Sequence, residues 1–359
     1  MAVRGIIVTV AVVLILAATS VTVFMIKHKN KPQKPSPDQY PTGVLWYNAT
    51  VSKSRQGAYR TITEALAAAP AYSVDKYYIH IEAGLYEERV IVSKTLTNIV
   101  FVGDGEEVTK ISGSRRYPEF PTIDTATVDV QGDGFIAKFI TFENSGGDGS
   151  SDSQAVALLS TSYQSAFYKC TFLGYQDTLY AKKGTQFYRE CSIYGTVDFI
   201  FGAAAAVFQS CNLYSRLPRL STITAQNRDE FTSQSGFVLQ NCTLTVAPGL
   251  ELQKSGFEAY LGRPWSNYST VIVMESFLDS IIPPVGWLSW EGRTTDALTY
   301  REFGNRGPGA STSGRVSWQG FKAVTLPNEM LNYTVGELID GTDWLRHTGI
   351  PNTRGFIYE

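Results

Sequence analysis

Between Ile136 and Phe277 one seven-residue pattern of apolar and polar positions keeps returning. It reads IAKFITF ending at Phe142, AFYKCTF at Phe172, FYRECSI at Ile193, VFQSCNL at Leu213, VLQNCTL at Leu244 and, more loosely, VIVMESF at Phe277. In each copy apolar residues alternate with polar ones, then come a cysteine or its substitute, a small polar residue and a final apolar one. The steps between copies are 30, 21, 20, 31 and 33 residues. Alternation with a period of two is the mark of strands, and no helical pattern separates the copies. Coils of this length predict an all-β chain, a right-handed parallel β-helix with loops of variable length between strands. Upstream, YYIHIEAG, ERVIVS, NIVFVGDG and ATVDVQGDG read as further strands, the last two closing on Gly-Asp-Gly turns. TITEALAAA, from Thr61 to Ala69, is the one clear short helix; Thr61 or Thr63 can cap it and Pro70 ends it. It is expected to cover the open end of the coil stack, since a terminal repeat needs a cap. GELIDGTDWL, near the C-terminus, predicts a short terminal helix and loop.

The repeat carries chemistry with it. Cys170 and Cys191 are 21 positions apart, and so are Asp177 and Asp198, each aspartate lying seven residues after its cysteine. In a stack of coils, equivalent positions lie above one another. Neighbouring parallel strands are ~4.8 Å apart, so these two carboxyls are expected to be close. Two such groups resist ionising together, and one holds its proton to higher pH. A neutral acid beside an ionised nucleophile or base is a catalytic arrangement. The plain alternative is a pair of turn aspartates bonding their own backbone.

Cys170, Cys191, Cys211 and Cys242 are expected in one column, and their pairing is left open by the sequence. No C-x-x-C spacing accompanies them, and His28, His80 and His347 lie in no motif, so neither a metal site nor a Ser-His-Asp triad is indicated. Formal net charge is -2 over 359 residues, which gives no electrostatic support for nucleic-acid binding.

The N-terminus differs from the rest. An apolar run of 22 positions, Gly5 to Ile26, is long enough to span a bilayer, while Ala17-Ala18-Thr19-Ser20 suits signal cleavage. Residues 1–26 are therefore read as a signal peptide or a signal anchor. Residues 27–44, rich in lysine and proline, form a linker, and residues 45–359 the exported body. Lysines after the apolar run argue against export on the positive-inside rule. Sequons at Asn48, Asn241, Asn267 and Asn332 argue for it. Beyond residue 38 the chain holds 26 basic and 32 acidic residues, a net charge near -6.

Five separated motifs bring the sequence to a family. They are GLYEE from Gly84, QAVAL from Gln154, GYQDTLY from Gly174, GTVDFIFG from Gly195 and LGRPW from Leu261. With these, roughly residues 45–355 resemble the plant-type pectin methylesterases (pectinesterases), in the form without the inhibitor-like pro-region. Only about 45 residues precede the body, too few for a four-helix domain.

The resemblance implies hydrolysis of the C6 methyl esters of homogalacturonan, with Asp198 as nucleophile and Asp177 as general acid and then base. Gln154 and Gln176 would donate to the oxyanion, and Arg263 would hold Asp198 ionised. Thr122, Gln154, Arg263, Trp265, Tyr180, Phe201 and Trp287 would contact substrate. It implies neither cofactor nor metal, a secreted monomer of the plant cell wall or one anchored there through residues 5–26, and a proteinaceous inhibitor as a further partner. The chain departs from the family pattern at Ala203, where Asn is usual, at Ser153, where His is usual, and in SKSRQGAY near residue 55. Two other readings stay open: a β-helical glycosidase, since close carboxylates suit a retaining mechanism, and an inactive wall-polysaccharide-binding β-helix.

Overall fold

The computed structural model describes residues 47–147 and 152–358. The segments read as signal or anchor and as linker lie outside the described residues.

Three sheets, of 11, 7 and 8 strands, run the length of the body, and every strand pairing between their named strands is parallel. From Tyr77–Ile81 to Phe277–Leu278 successive strands visit the three sheets in turn, so each full circuit adds one strand to each, while the first strand and the last two extend only the largest sheet. This is a parallel β-helix, as the repeat predicts. The heptapeptides themselves divide differently from expectation. Each was read as one alternating strand, yet AFYKCTF covers the end of Ser165–Tyr168 in the largest sheet and the start of Thr171–Leu173 in the next. A corner lies between them. Lys169 there has φ 49°, and Glu190, Ser210, Asn241 and Glu275 repeat that left-handed geometry at the equivalent places. This backbone region disfavours side chains, so a corner built from non-glycine residues must be held by its neighbours. Cross-coil bonds do so: Lys169 N–H donates to Arg189 O and Glu190 N–H to Gln209 O.

Inward-facing residues stack coil on coil. Phe167, Tyr188 and Phe208 form a ladder, with ring centroids 4.8 and 4.5 Å apart and planes within 10° of parallel. Beside them Cys170, Cys191, Cys211 and Cys242 are buried, unpaired thiols. Each donates to a carbonyl of the coil before it, as Cys211 Sγ does to Tyr188 O at 3.4 Å. The column is therefore small-residue packing and not a disulfide set.

One end is closed by the helix Ile62–Ala67, capped by Thr61 and Glu64 in a reciprocal box and burying Ile62, Ala65 and Leu66. Glu88, of the GLYEE motif, accepts from the N–H groups of Ile62 and Thr63, placing a carboxylate at the positive end of that helix. The predicted C-terminal helix is two short ones, Val335–Leu338 and Gly341–Trp344. From there the chain runs along the outer face of the largest sheet. Lys138 donates to Thr348 O and Gln240 to Gly355 O, while Glu275 accepts from Ile357 and Tyr358. Lys138 is buried there, which pushes its ammonium down to about 8.

Candidate active site

The two aspartates occupy equivalent turns of consecutive coils. Asp177 stands between strands Thr171–Leu173 and Leu179–Ala181, Asp198 between Ser192–Gly195 and Ile200–Gly202. The flanking pairs Thr171 with Ser192 and Leu179 with Ile200 keep the offset of 21. Asp177 N–H donates to Val197 O at 3.1 Å, so the turns are bonded to each other. Both residues have left-handed φ, 63° and 53°, a conformation aspartate tolerates better than most. The turns are tight. A Cβ on Gly195 would lie 2.1 Å from that of Phe199, and one on Gly202, at φ 120°, would lie 2.2 Å from Ala181 O. The glycines of GTVDFIFG are thus the geometric condition for presenting Asp198.

The carboxyls are buried but unequal. Arg263 donates to Asp198 twice, Nε to Oδ1 at 2.8 Å and one terminal nitrogen to Oδ2 at 2.7 Å. Asp177 makes no side-chain hydrogen bond to another described residue, so the turn-aspartate alternative fails for it. Burial pushes the Asp177 carboxyl well above the ordinary range and the Asp198 charge adds to this, with Arg263 opposing. Burial also raises Asp198, but its two bonds and charge pairing with Arg263 pull it back. Of the pair, Asp198 is the one equipped to be ionised and Asp177 the one equipped to be neutral.

A cleft of about 440 Å³ opens over them. Thr122, Gln154, Gln176, Asp177, Tyr180, Asp198, Phe201, Arg263 and Trp265 all line it, so the structure brings these sequence-derived candidates together. Tyr180 and Phe201 stack at 4.2 Å on neighbouring strands, and Trp265 closes on both. They belong to a second apolar cluster outside the barrel, with Ala126, Val156, Leu159 and Ala225, and this cluster gives the cleft a firm floor. Gln154 Oε1 is sealed from solvent without a hydrogen-bond partner among the described residues.

Trp287 is a correction. It was expected to wall the groove, yet it is 1% exposed, packs against Tyr300 with ring centroids 4.4 Å apart and donates its indole N–H to Glu302. Glu302 is also paired with Arg315 in a fully buried ion pair. An indole whose only polar atom is bonded inside the barrel is held away from the groove. Trp290, three residues on, takes the expected place: it lines the cleft, with the Arg263 guanidinium 4.1 Å from its ring centre. Sequence reasoning missed it because both tryptophans of WLSW follow the same turn, and only the turn's path decides which faces inward. It also missed Asn144. This buried amide donates to the carbonyls of Arg115, Thr125 and Val156 and thereby ties the Thr122 segment to the QAVAL strand. Asp152 and Ile123, at the cleft's rim, carried no signal.

The site is thus an arginine-clamped carboxylate beside a second buried carboxyl, set over an aromatic floor on a parallel β-helix. The pectinesterase family model matches residues 48–342, and the chain belongs to that family. It is 46% identical to pectinesterase 2 of Citrus sinensis over 86% of its own length. It spans 60% of that relative, and 59% of the probable pectinesterase/pectinesterase inhibitor 39 of Arabidopsis thaliana, also 46% identical. It is 43% identical to a pectinesterase of Daucus carota and spans 98% of it. Among solved structures, the pectin methylesterase from carrot superposes with a TM-score of 0.84 at 42% identity, covering 87% of this chain and 99% of the other. That from Aspergillus niger superposes with 0.71 at 32%, covering 85% and 96%.

Proposed function

We propose that this protein is a pectin methylesterase, converting C6 methyl esters of homogalacturonan to free acid and methanol. The observation that carries this reading is the unequal acid pair, one carboxyl clamped by Arg263 and the other with no counter-ion of its own.

The chemistry follows from that inequality. Ionised Asp198 attacks the ester carbonyl carbon, and the developing oxyanion is met by the side-chain amides of Gln154 and Gln176. As the intermediate collapses, neutral Asp177 gives its proton to the departing methoxide, releasing methanol and leaving an anhydride on Asp198. Asp177, now a base, takes a proton from water, whose hydroxide equivalent opens the anhydride. Asp198 is freed and Asp177 is neutral again. Arg263 keeps the nucleophile charged and oriented throughout, while Trp290 on its other face fixes the guanidinium. Tyr180, Phe201 and Trp265 offer the apolar faces on which pyranose rings rest.

In this reading the protein works outside the cell on wall pectin as a monomer, and a proteinaceous inhibitor would dock across the cleft. The experiment is to give the purified chain highly methyl-esterified pectin and follow methanol and new reducing ends together. Methanol without chain cleavage is expected. Reducing ends without methanol would make it a glycosidase, and binding with neither product an inactive wall-binding protein.

A further inference from the structure

The outward row of the seven-stranded sheet continues past the cleft. Register pairs Ala225 with Phe201, Tyr180 with Leu159, and Leu159 with Asp129. The row therefore changes from aromatic and aliphatic to a carboxyl, two strands from Tyr180, or ~10 Å at the usual strand spacing. Asp129 is 7% exposed, and its neighbours Val128 and Val130 point into the core. Oδ2 accepts from Gln131 Nε2 at 2.7 Å, whereas Oδ1 is buried without a hydrogen-bond partner among the described residues. Asp129 interrupts an otherwise apolar row with an acid, and an unmet carboxyl oxygen is destabilising.

Asp129 lines a second depression, of about 900 Å³, which adjoins the cleft at Ile123. Four acids contribute to it, Asp129, Asp133, Asp229 and Glu230, against Lys94, Lys182 and Lys183. Two cations act on Asp129: Arg89, which also lies 3.7 Å from Asp124, and Lys182, which lies over the Tyr180 ring. Burial outweighs these cations and raises the Asp129 carboxyl above the ordinary range.

We propose that this depression is a flanking sugar subsite, and that Asp129 makes it select a methyl-esterified galacturonate over a free one. The proposal rests on the pectin methylesterase reading above. A free uronate lodged there must sit beside the buried carboxyl of Asp129. Either one of the two carboxyls takes up a proton or they repel, and the neutral ester meets neither penalty. The selection acts through charge, so it requires no direct bond to the sugar.

The test uses short oligogalacturonides, fully methyl-esterified or partly de-esterified, with methanol release measured for wild type, Asp129→Asn and Asp129→Leu. Asn keeps the shape without the charge, and Leu continues the row begun by Leu159. Wild type is expected to favour the fully esterified oligomer in kcat/KM, and both variants to shrink that preference by about fivefold, the worth of one like-charge contact in a solvated site. An unchanged preference in a folded variant overturns the subsite proposal. Absence of methanol from wild type on every substrate would instead remove the activity on which it rests.

Discussion

Arg263 holds both carboxylate oxygens of Asp198, at 2.8 and 2.7 Å, while Asp177 in the equivalent turn of the neighbouring coil makes no such bond. Two positions that the repeat makes geometrically alike are thus made chemically unlike by one side chain arriving from 65 residues away. That asymmetry has measurable consequences.

Removing the nucleophile is the first. Asp198→Asn is nearly isosteric, so the fold should survive while methanol release falls by about 10⁴-fold or more. Asp177→Asn should lose about 10²–10⁴-fold, the usual worth of a positioned general acid. Methanol assays with a circular dichroism check on folding decide both. Turnover near wild type in Asp198→Asn would reassign the chemistry.

Arg263 sets the pH profile. It opposes the rise that burial imposes on Asp198, so losing it lets that carboxyl rise further. The ionised fraction then falls at a higher pH than before. Arg263→Leu should accordingly move the acid limb of kcat/KM to higher pH as well as lowering the rate. Arg263→Lys keeps charge but not the two-pronged grip, and should give a smaller displacement. A limb that stays in place in Arg263→Leu would show that Arg263 does not govern the ionisation of Asp198.

Asp177 should weaken the fold that carries it. Its carboxyl is raised in the folded state, so the native protein binds the extra proton, and stability declines as pH climbs from the unfolded-state value toward the folded one. Below that window wild type and Asp177→Asn should melt alike. Above it the variant should have the higher Tm, with the gap constant once the folded-state value is passed. Melting curves at several pH values measure this, and a variant less stable than wild type at neutral pH would contradict it.

The two tryptophans of WLSW should separate. Trp287→Ala empties a core position and takes the indole N–H donor from the buried Glu302 carboxylate, which should destabilise by about 3–5 kcal/mol. Trp290→Ala removes a partly buried ring that packs on Arg263 and on the edge of the cleft floor, and should leave Tm within a few degrees while lowering kcat/KM. Denaturant titration and steady-state kinetics on both variants provide the comparison.

Much of this was legible beforehand because a parallel β-helix writes its geometry into spacing. The offset of 21 between Asp177 and Asp198 fixed their adjacency, and the family motifs supplied Gln154, Gln176 and Arg263. What stayed hidden depends on direction and not on period. The corner at Lys169 leaves no break in an apolar-polar pattern, so a two-strand turn reads as one strand. Likewise Trp287 and Trp290 differ only in how the backbone leaves Gly286, which no composition rule reports. Asn144 could have been found by asking what would satisfy the carbonyls around Thr125, but that question needs the coil stacking first.

The four free thiols have a use beyond packing. Each sits on a different coil, from Cys170 to Cys242, and none is open to solvent in the closed barrel. A thiol reagent can modify one only when its coil parts from its neighbour. Labelling rates, resolved residue by residue by mass spectrometry, therefore act as four clocks along the barrel axis. They time how often the turns bearing the two aspartates come apart.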